Sequence, residues 1–203
     1  MLATEMTTEE EKEVLALIRD ARTKARGYAD FFGWGSDRDI EEWGVVASLA
    51  ESLEKEGKNI FDSLKMRGRQ NDPPDCEALD NDGNRIAIEV TELVDGKAIQ
   101  AFKAGAAYEW ADWDKTKFIS SLDSLLSRKD SRYTELKEPP YDGGYFIVIF
   151  TDEPMLNRST VESYLQEQKF NKLKYVTRAF LLVSYDPDPS VKLCPHYELQ
   201  ISD

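Results

Sequence analysis

The chain has 203 residues, 41% of them hydrophobic, and 39 Asp and Glu against 26 Lys and Arg give it a net charge of −13. That length suits one domain with a sizeable core, and the apolar content argues against wholesale disorder. The acidic balance counts against broad, non-specific nucleic-acid binding, while the lack of a long apolar run or a signal-like N-terminus predicts a cytoplasmic protein without membrane spans.

Thr7-Thr8-Glu9-Glu10-Glu11 reads as a capped helix start. A helix is expected over 8–29, with Val14, Leu15, Ile18 and Ala21 on its buried stripe. Gly33-Trp34-Gly35 breaks the chain, and Ser36 or Asp37 caps a second helix over about 37–56. Its inward residues are expected to be Ile40, Trp43, Ala47, Ala50 and Leu53, with Gly57 ending it. A strand follows near 60–67. Lys65, Arg67 and Arg69 alternate there, so on a strand they share one face, as either a phosphate track or a polar edge.

After the Asp72-Pro73-Pro74 bend, two runs with strand character, Cys76 to Leu79 and Ile86 to Val90, flank Asn81-Asp82-Gly83. A helical region over 97–128 is expected to break near 112–114, its second half placing Lys115, Phe118, Leu122 and Leu125 on one face. Residues 129–144 read as a polar connection. Tyr145 to Phe150 is continuously apolar, as a strand covered on both sides would be. A helix over 159–168, a buried strand over 179–183 and an alternating edge strand over 197–201 complete the chain. No repeat or interdomain linker is evident, so one domain over 1–203 is expected: a mixed α/β layer with helices on a central sheet.

The acidic hairpin carries the chemistry. A three-residue loop with Gly83 in the left-handed position of a bulge turn sets Asp75 opposite Glu89 on one face, with Cβ atoms about 5 Å apart. Ile86, Ile88 and Val90 then share the other face with Cys76 and Ala78. A two-residue loop would shift the pairing by one and separate the acids. Carboxylates that close repel unless a cation sits between them, which suggests a divalent metal site; the alternative is a solvated acidic hairpin. Glu77 shares the face of Asp75, diagonal to Glu89.

One histidine and two cysteines narrow the options. His196 alone cannot build a multi-His zinc site and reads as an ordinary strand residue. Cys76 falls on the core face as a small buried hydrophobe. No phosphate-loop or dinucleotide fingerprint is present.

The element order and the residues Pro74, Asp75, Glu89, Val90 and Thr91 resemble the PD-(D/E)xK nuclease superfamily over about 37–150. The resemblance implies a restriction-endonuclease-like αβββαβ core with an extra N-terminal helix and a C-terminal αββ extension over 151–203. It also implies a metal-dependent nuclease in which Asp75, Glu89 and the Val90 carbonyl hold Mg²⁺ or Mn²⁺, with Glu77 near a second ion or a metal-bound water. Glu51 is the nearest match to the acid many members carry on the first core helix, with Glu54 as rival. Thr91 stands where the motif lysine is expected. A hydroxyl orients a water but brings no positive charge, and the resemblance implies that the lysine can be relocated to a neighbouring element, as it is in some members. Lys115 is the first candidate, ahead of Lys117 and Lys103.

Lys65, Arg67 and Arg69 would then hold phosphates of the nucleic acid, DNA being the expected partner. The competing reading is a nuclease-like domain without catalysis that acts as a binding or interaction module. Its acidic surface would dock a protein partner, with Trp110 and Trp113 either marking the contact or packing the core. The edge strand over 197–201 leaves room for a homodimer.

Overall fold

The computed structural model describes residues 38–107, 112–184 and 193–202. The helix expected over 8–29 and Trp110 lie outside them. The chain divides into two compact units, where the sequence reading takes it as one domain. Residues 1–35 and 94–111 form one unit; residues 36–93 and 112–203 form the other. In the first, a short helix α2 (Gly96–Lys103) buries Ala98 and Ile99 beside Val94.

The second unit is built on a six-stranded mixed sheet whose strands lie in chain order. These are β1 (Asp62–Met66), β2 (Cys76–Leu79), β3 (Arg85–Glu92), β4 (Gly144–Thr151), β5 (Arg178–Val183) and β6 (His196–Glu198). β1 to β3 pair antiparallel, β3 to β5 pair parallel, and β6 closes the far edge antiparallel. The helices of this unit are α1 (Arg38–Lys55), α3 (Lys115–Ser131) and α4 (Arg158–Leu165). Among the described residues no helix is long and apolar enough to cross a membrane.

The hairpin register follows the bulge-turn expectation. Cys76 pairs with Ile88, Glu77 with Ala87, Ala78 with Ile86 and Leu79 with Arg85. Gly83 has φ +81, and its N–H donates to the Asp80 carbonyl at 3.0 Å. Two cores form on the two faces. Val46, Leu49 and Leu53 of α1 pack with Cys76, Ala78, Ile86, Ile88 and Val90. Phe118, Leu122 and Leu126 of α3 pack with Ala87, Tyr145, Ile147, Ile149, Ala179 and Leu181. Strands buried on both faces read as continuous apolar runs, which explains β4 and β5.

Two helical stripes differ from expectation. On α1 the buried row is Val46, Leu49 and Leu53, and Trp43 is 39% exposed. The larger aliphatics take the core where Ala47 and Ala50 would leave space unfilled. On α3 the buried row is Phe118, Leu122, Leu126 and Lys129. The break before α3 is set by Asp114, whose side chain caps the helix by accepting from the Lys117 N–H at 2.7 Å.

Trp113 is buried at the start of that helix. Cys76 is buried as expected, and burial pushes its thiol up to about 12. His196 is a β6 residue, as its sequence context suggested.

Gly144 (φ +114) starts β4 where an added Cβ would stand 2.5 Å from Thr177 Oγ1. Ile88→Ala, at a fully buried site, should cost about 2–5 kcal/mol in denaturant unfolding. A loss below about 1 kcal/mol would contradict the packing described for that face.

Candidate active site on the inner face of the hairpin

The pleat that sends Ile86, Ile88 and Val90 toward α1 sends Ala87, Glu89 and Thr91 toward α3. Asp75 lies one residue before the β2 ladder. Its carbonyl accepts from the Arg67 N–H at 3.2 Å and its Oδ2 accepts from the Val90 N–H at 2.7 Å. Asp75 and Glu89 therefore converge, as the hairpin register predicts. Val90 lies past the last hairpin pair. Because N–H and C=O of one strand residue point to the same side, its carbonyl also faces the Asp75 edge.

The cation between the acids is an ammonium. Lys129 Nζ donates to Glu89 Oε2 and stands 3.8 Å from Asp75 Oδ2. Arg132, at the end of α3, adds a guanidinium nitrogen 3.6 Å from Glu89 Oε2. The group is closed from solvent, with the side chains of Asp75, Glu89 and Lys129 only 1%, 0% and 6% exposed. Burial, and then the Glu89 carboxylate, push the Asp75 carboxyl up to about 7, against the pull of Lys129 and the Val90 N–H.

The end of α3 is fixed from two sides. Tyr145 Oη donates to the Lys129 carbonyl at 3.0 Å, and Asp130 accepts from the backbone N–H groups of Lys174, Tyr175 and Val176.

Lys115 is exposed at the first turn of α3, fourteen positions before Lys129, a separation of about 21 Å along a helix. It does not reach the acids, and the lysine beside them is Lys129. Lys117 stacks over the Trp113 ring at 4.3 Å, and Lys103 belongs to the other unit.

Glu51 is exposed and paired with Lys55 at 2.7 Å, and Glu54 is exposed too. The α1 acid that acts electrostatically on Asp75 is Glu42, more than two turns earlier. Thr91 Oγ1 faces Arg128, whose Nη2 lies 3.5 Å away.

Glu77 is held by cations. Lys65, Arg67 and Arg85 contact it at 3.0, 3.2 and 2.6 Å, and hydrogen bonds from Arg85 above all hold its carboxyl down to about 2. Arg67 is buried and also pairs with Glu138 at 2.6 Å. Arg69 lies 4.0 Å from Asp39. β1 ends at Met66, so of the three expected cations only Lys65 is a strand residue; all three face acids of the same chain rather than forming one strand face.

Sequence reasoning missed Lys129 because it ends the helix at 128 and takes 129–144 as a polar connection, whereas α3 runs to Ser131; the available signal was the spacing of Lys129 from Phe118, Leu122 and Leu126. Lys115 sits on the same stripe at the opposite end. Only the course of α3, returning antiparallel to β3 before β4, decides which end covers the acids.

A metal would meet oxygen donors here. Glu89 Oε1 is buried and accepts no hydrogen bond among the described residues, which leaves a carboxylate oxygen available. No cluster of three or more His, Cys, Asp or Glu side chains suited to a metal occurs among them. Mg²⁺ takes only one or two carboxylates and keeps several waters, so two acids and a carbonyl suit it.

No protein-family model matches the chain, and no curated protein or solved structure matches it either.

The raised Asp75 carboxyl makes stability depend on pH. Its favourable contribution is full below about 4, the ordinary carboxylate range, and is lost as pH rises through about 7. In chelator, thermal unfolding of the wild type should weaken from pH 5 to pH 8 more than that of Asp75→Asn, which carries no charge. Equal losses in both would contradict the buried, charge-coupled setting of Asp75.

Proposed function

We propose that the chain is a divalent-metal-dependent nuclease of the PD-(D/E)xK type, hydrolysing phosphodiester bonds of nucleic acid on a restriction-endonuclease-like core. The observation that carries this reading is the meeting of Asp75, Glu89 and Lys129 on one face of the sheet. The order helix, three strands, helix, strand supports it too. Lys129 answers the chief difficulty, the threonine at the motif lysine position, by bringing an ammonium to the acids from the following helix.

Asp75, Glu89 and the Val90 carbonyl would hold the ion, Mg²⁺ or Mn²⁺. When bound, it would acidify a water and neutralise charge on the scissile phosphate. Once displaced from Glu89 by the ion, the Lys129 ammonium would place positive charge where the five-coordinate transition state develops negative charge. The Thr91 hydroxyl would orient the attacking water. Glu42 is the α1 acid suited to assist, in place of Glu51. Glu77 is committed to three cations and serves to hold β1 to β3 together.

A second reading, the inactive module, draws on the nearly complete burial of the three groups: the site must open before substrate or metal enters. The two readings part in calorimetry. Mn²⁺ binding that disappears in Asp75→Ala favours the nuclease, and no binding with no cleavage favours the module.

In a metal-dependent cleavage assay, Glu89→Gln and Lys129→Met should each lower kcat about 100-fold or more, the usual cost of removing a transition-state charge partner. Lys115→Ala should stay within about twofold of wild type. Full activity in Glu89→Gln, or loss in Lys115→Ala alone, would overturn the assignment.

A further inference from the structure

The last turns of α3 carry three cations toward the acid face: Arg128, Lys129 and Arg132. Lys129 is taken up by Glu89 and Asp75, and Arg132 is shared between Glu89 and Glu135 at 3.6 and 3.2 Å. Arg128 is different. It is exposed, and no carboxylate among the described residues pairs with it; its polar contact is Thr91 Oγ1 at 3.5 Å.

In a chain with 39 acids against 26 bases, arginines have many carboxylates to pair with. Arg67, Arg85, Arg132 and Arg178 each pair with one. A guanidinium that pairs with no carboxylate among the described residues, beside a proposed reaction centre, offers its charge and its planar donor fork to an incoming group. The partner that suits it is a phosphate oxygen, which takes two parallel N–H donors from Arg.

We propose that Arg128, exposed beside Thr91 and one position before Lys129 of the Asp75–Glu89–Lys129 group, is the substrate-binding residue that takes a backbone phosphate of the nucleic acid next to the scissile one. This rests on the nuclease reading and extends it. It moves the phosphate contact from β1 and the residues after it, where Lys65 and Arg67 contact Glu77 and Glu138, to the end of α3. The placement of Arg128 beside Thr91 gives the motif lysine position a positive charge, supplied from another element and available to substrate. Lys129 keeps the buried role and Arg128 the solvent-facing one. The division follows from their exposure on adjacent positions of one helix turn. A helix C-terminus also favours cations by its dipole, and that effect alone would give Arg128 no bearing on nucleic acid.

The test is anisotropy binding of a labelled DNA oligonucleotide across a salt series, with Ca²⁺ in place of Mg²⁺, followed by cleavage kinetics with Mg²⁺. Arg128→Ala should weaken binding about tenfold for unrelated sequences and lower the salt slope by about one, as loss of one phosphate contact does. In cleavage, KM should rise more than kcat falls, and Arg128→Lys should recover most of the binding. If the wild type binds and cleaves while Arg128→Ala shows the same affinity and salt slope, this assignment is overturned and the nuclease reading stands. If the wild type neither binds nor cleaves DNA or RNA, both are overturned.

Discussion

A lysine ammonium buried against two carboxylates is the interaction on which the site depends. Removing two acids and a base from water costs several kcal/mol per ion, and only their mutual attraction and hydrogen bonds offset it. Such a group adds little net stability, so folding alone does not explain its presence. What it provides is definition. Asp75 is tied to the Val90 N–H, Glu89 to Lys129, and Lys129 to a helix end anchored by Tyr145 and Asp130. The backbone elements that carry the three groups are thus defined, and the Lys129 side chain has to leave Glu89 for an ion to enter between the carboxylates.

The direction of one crossover decides which side chain supplies the charge. β3 and β4 run parallel, so α3 must return along the sheet before β4 begins. Its C-terminal end then lies over the acids while its N-terminal end lies far from them. Lys129 therefore replaces Lys115 through topology, with no change of helical face. Glu42 and Glu51 on α1 differ in position along the axis and in face: nine residues apart, they point about 180° from each other, and Glu51 is exposed.

Local features of the sequence carried much of this. The Asp-Gly turn and the alternation of Ile86, Ile88 and Val90 admitted one register that keeps a single apolar face, and the ladder adopts it. The apolar runs of β4 and β5 marked strands covered on both sides. What stayed illegible was long-range placement. No periodicity says which end of a helical stripe meets a distant strand, or that Glu77 will be neutralised by Arg85, Lys65 and Arg67. The α1 stripe was misread because Ala47 and Ala50 suit a helix face by spacing, whereas Val46 and Leu49 fill the core by volume.

The two sides of the hairpin differ in how their cations are partnered. On the β1 side Lys65, Arg67 and Arg85 all contact Glu77, and on the α3 side Arg128 contacts Thr91 and no carboxylate among the described residues. The central claim is that the Asp75–Glu89–Lys129 group accepts a divalent cation between its carboxylates. A crystal soaked in Mn²⁺ and measured for anomalous scattering tests it most directly. The account predicts a peak at bonding distance from both Asp75 and Glu89, with the Lys129 ammonium moved off Glu89. Mn²⁺ bound elsewhere, with Lys129 still seated against Glu89, would contradict it.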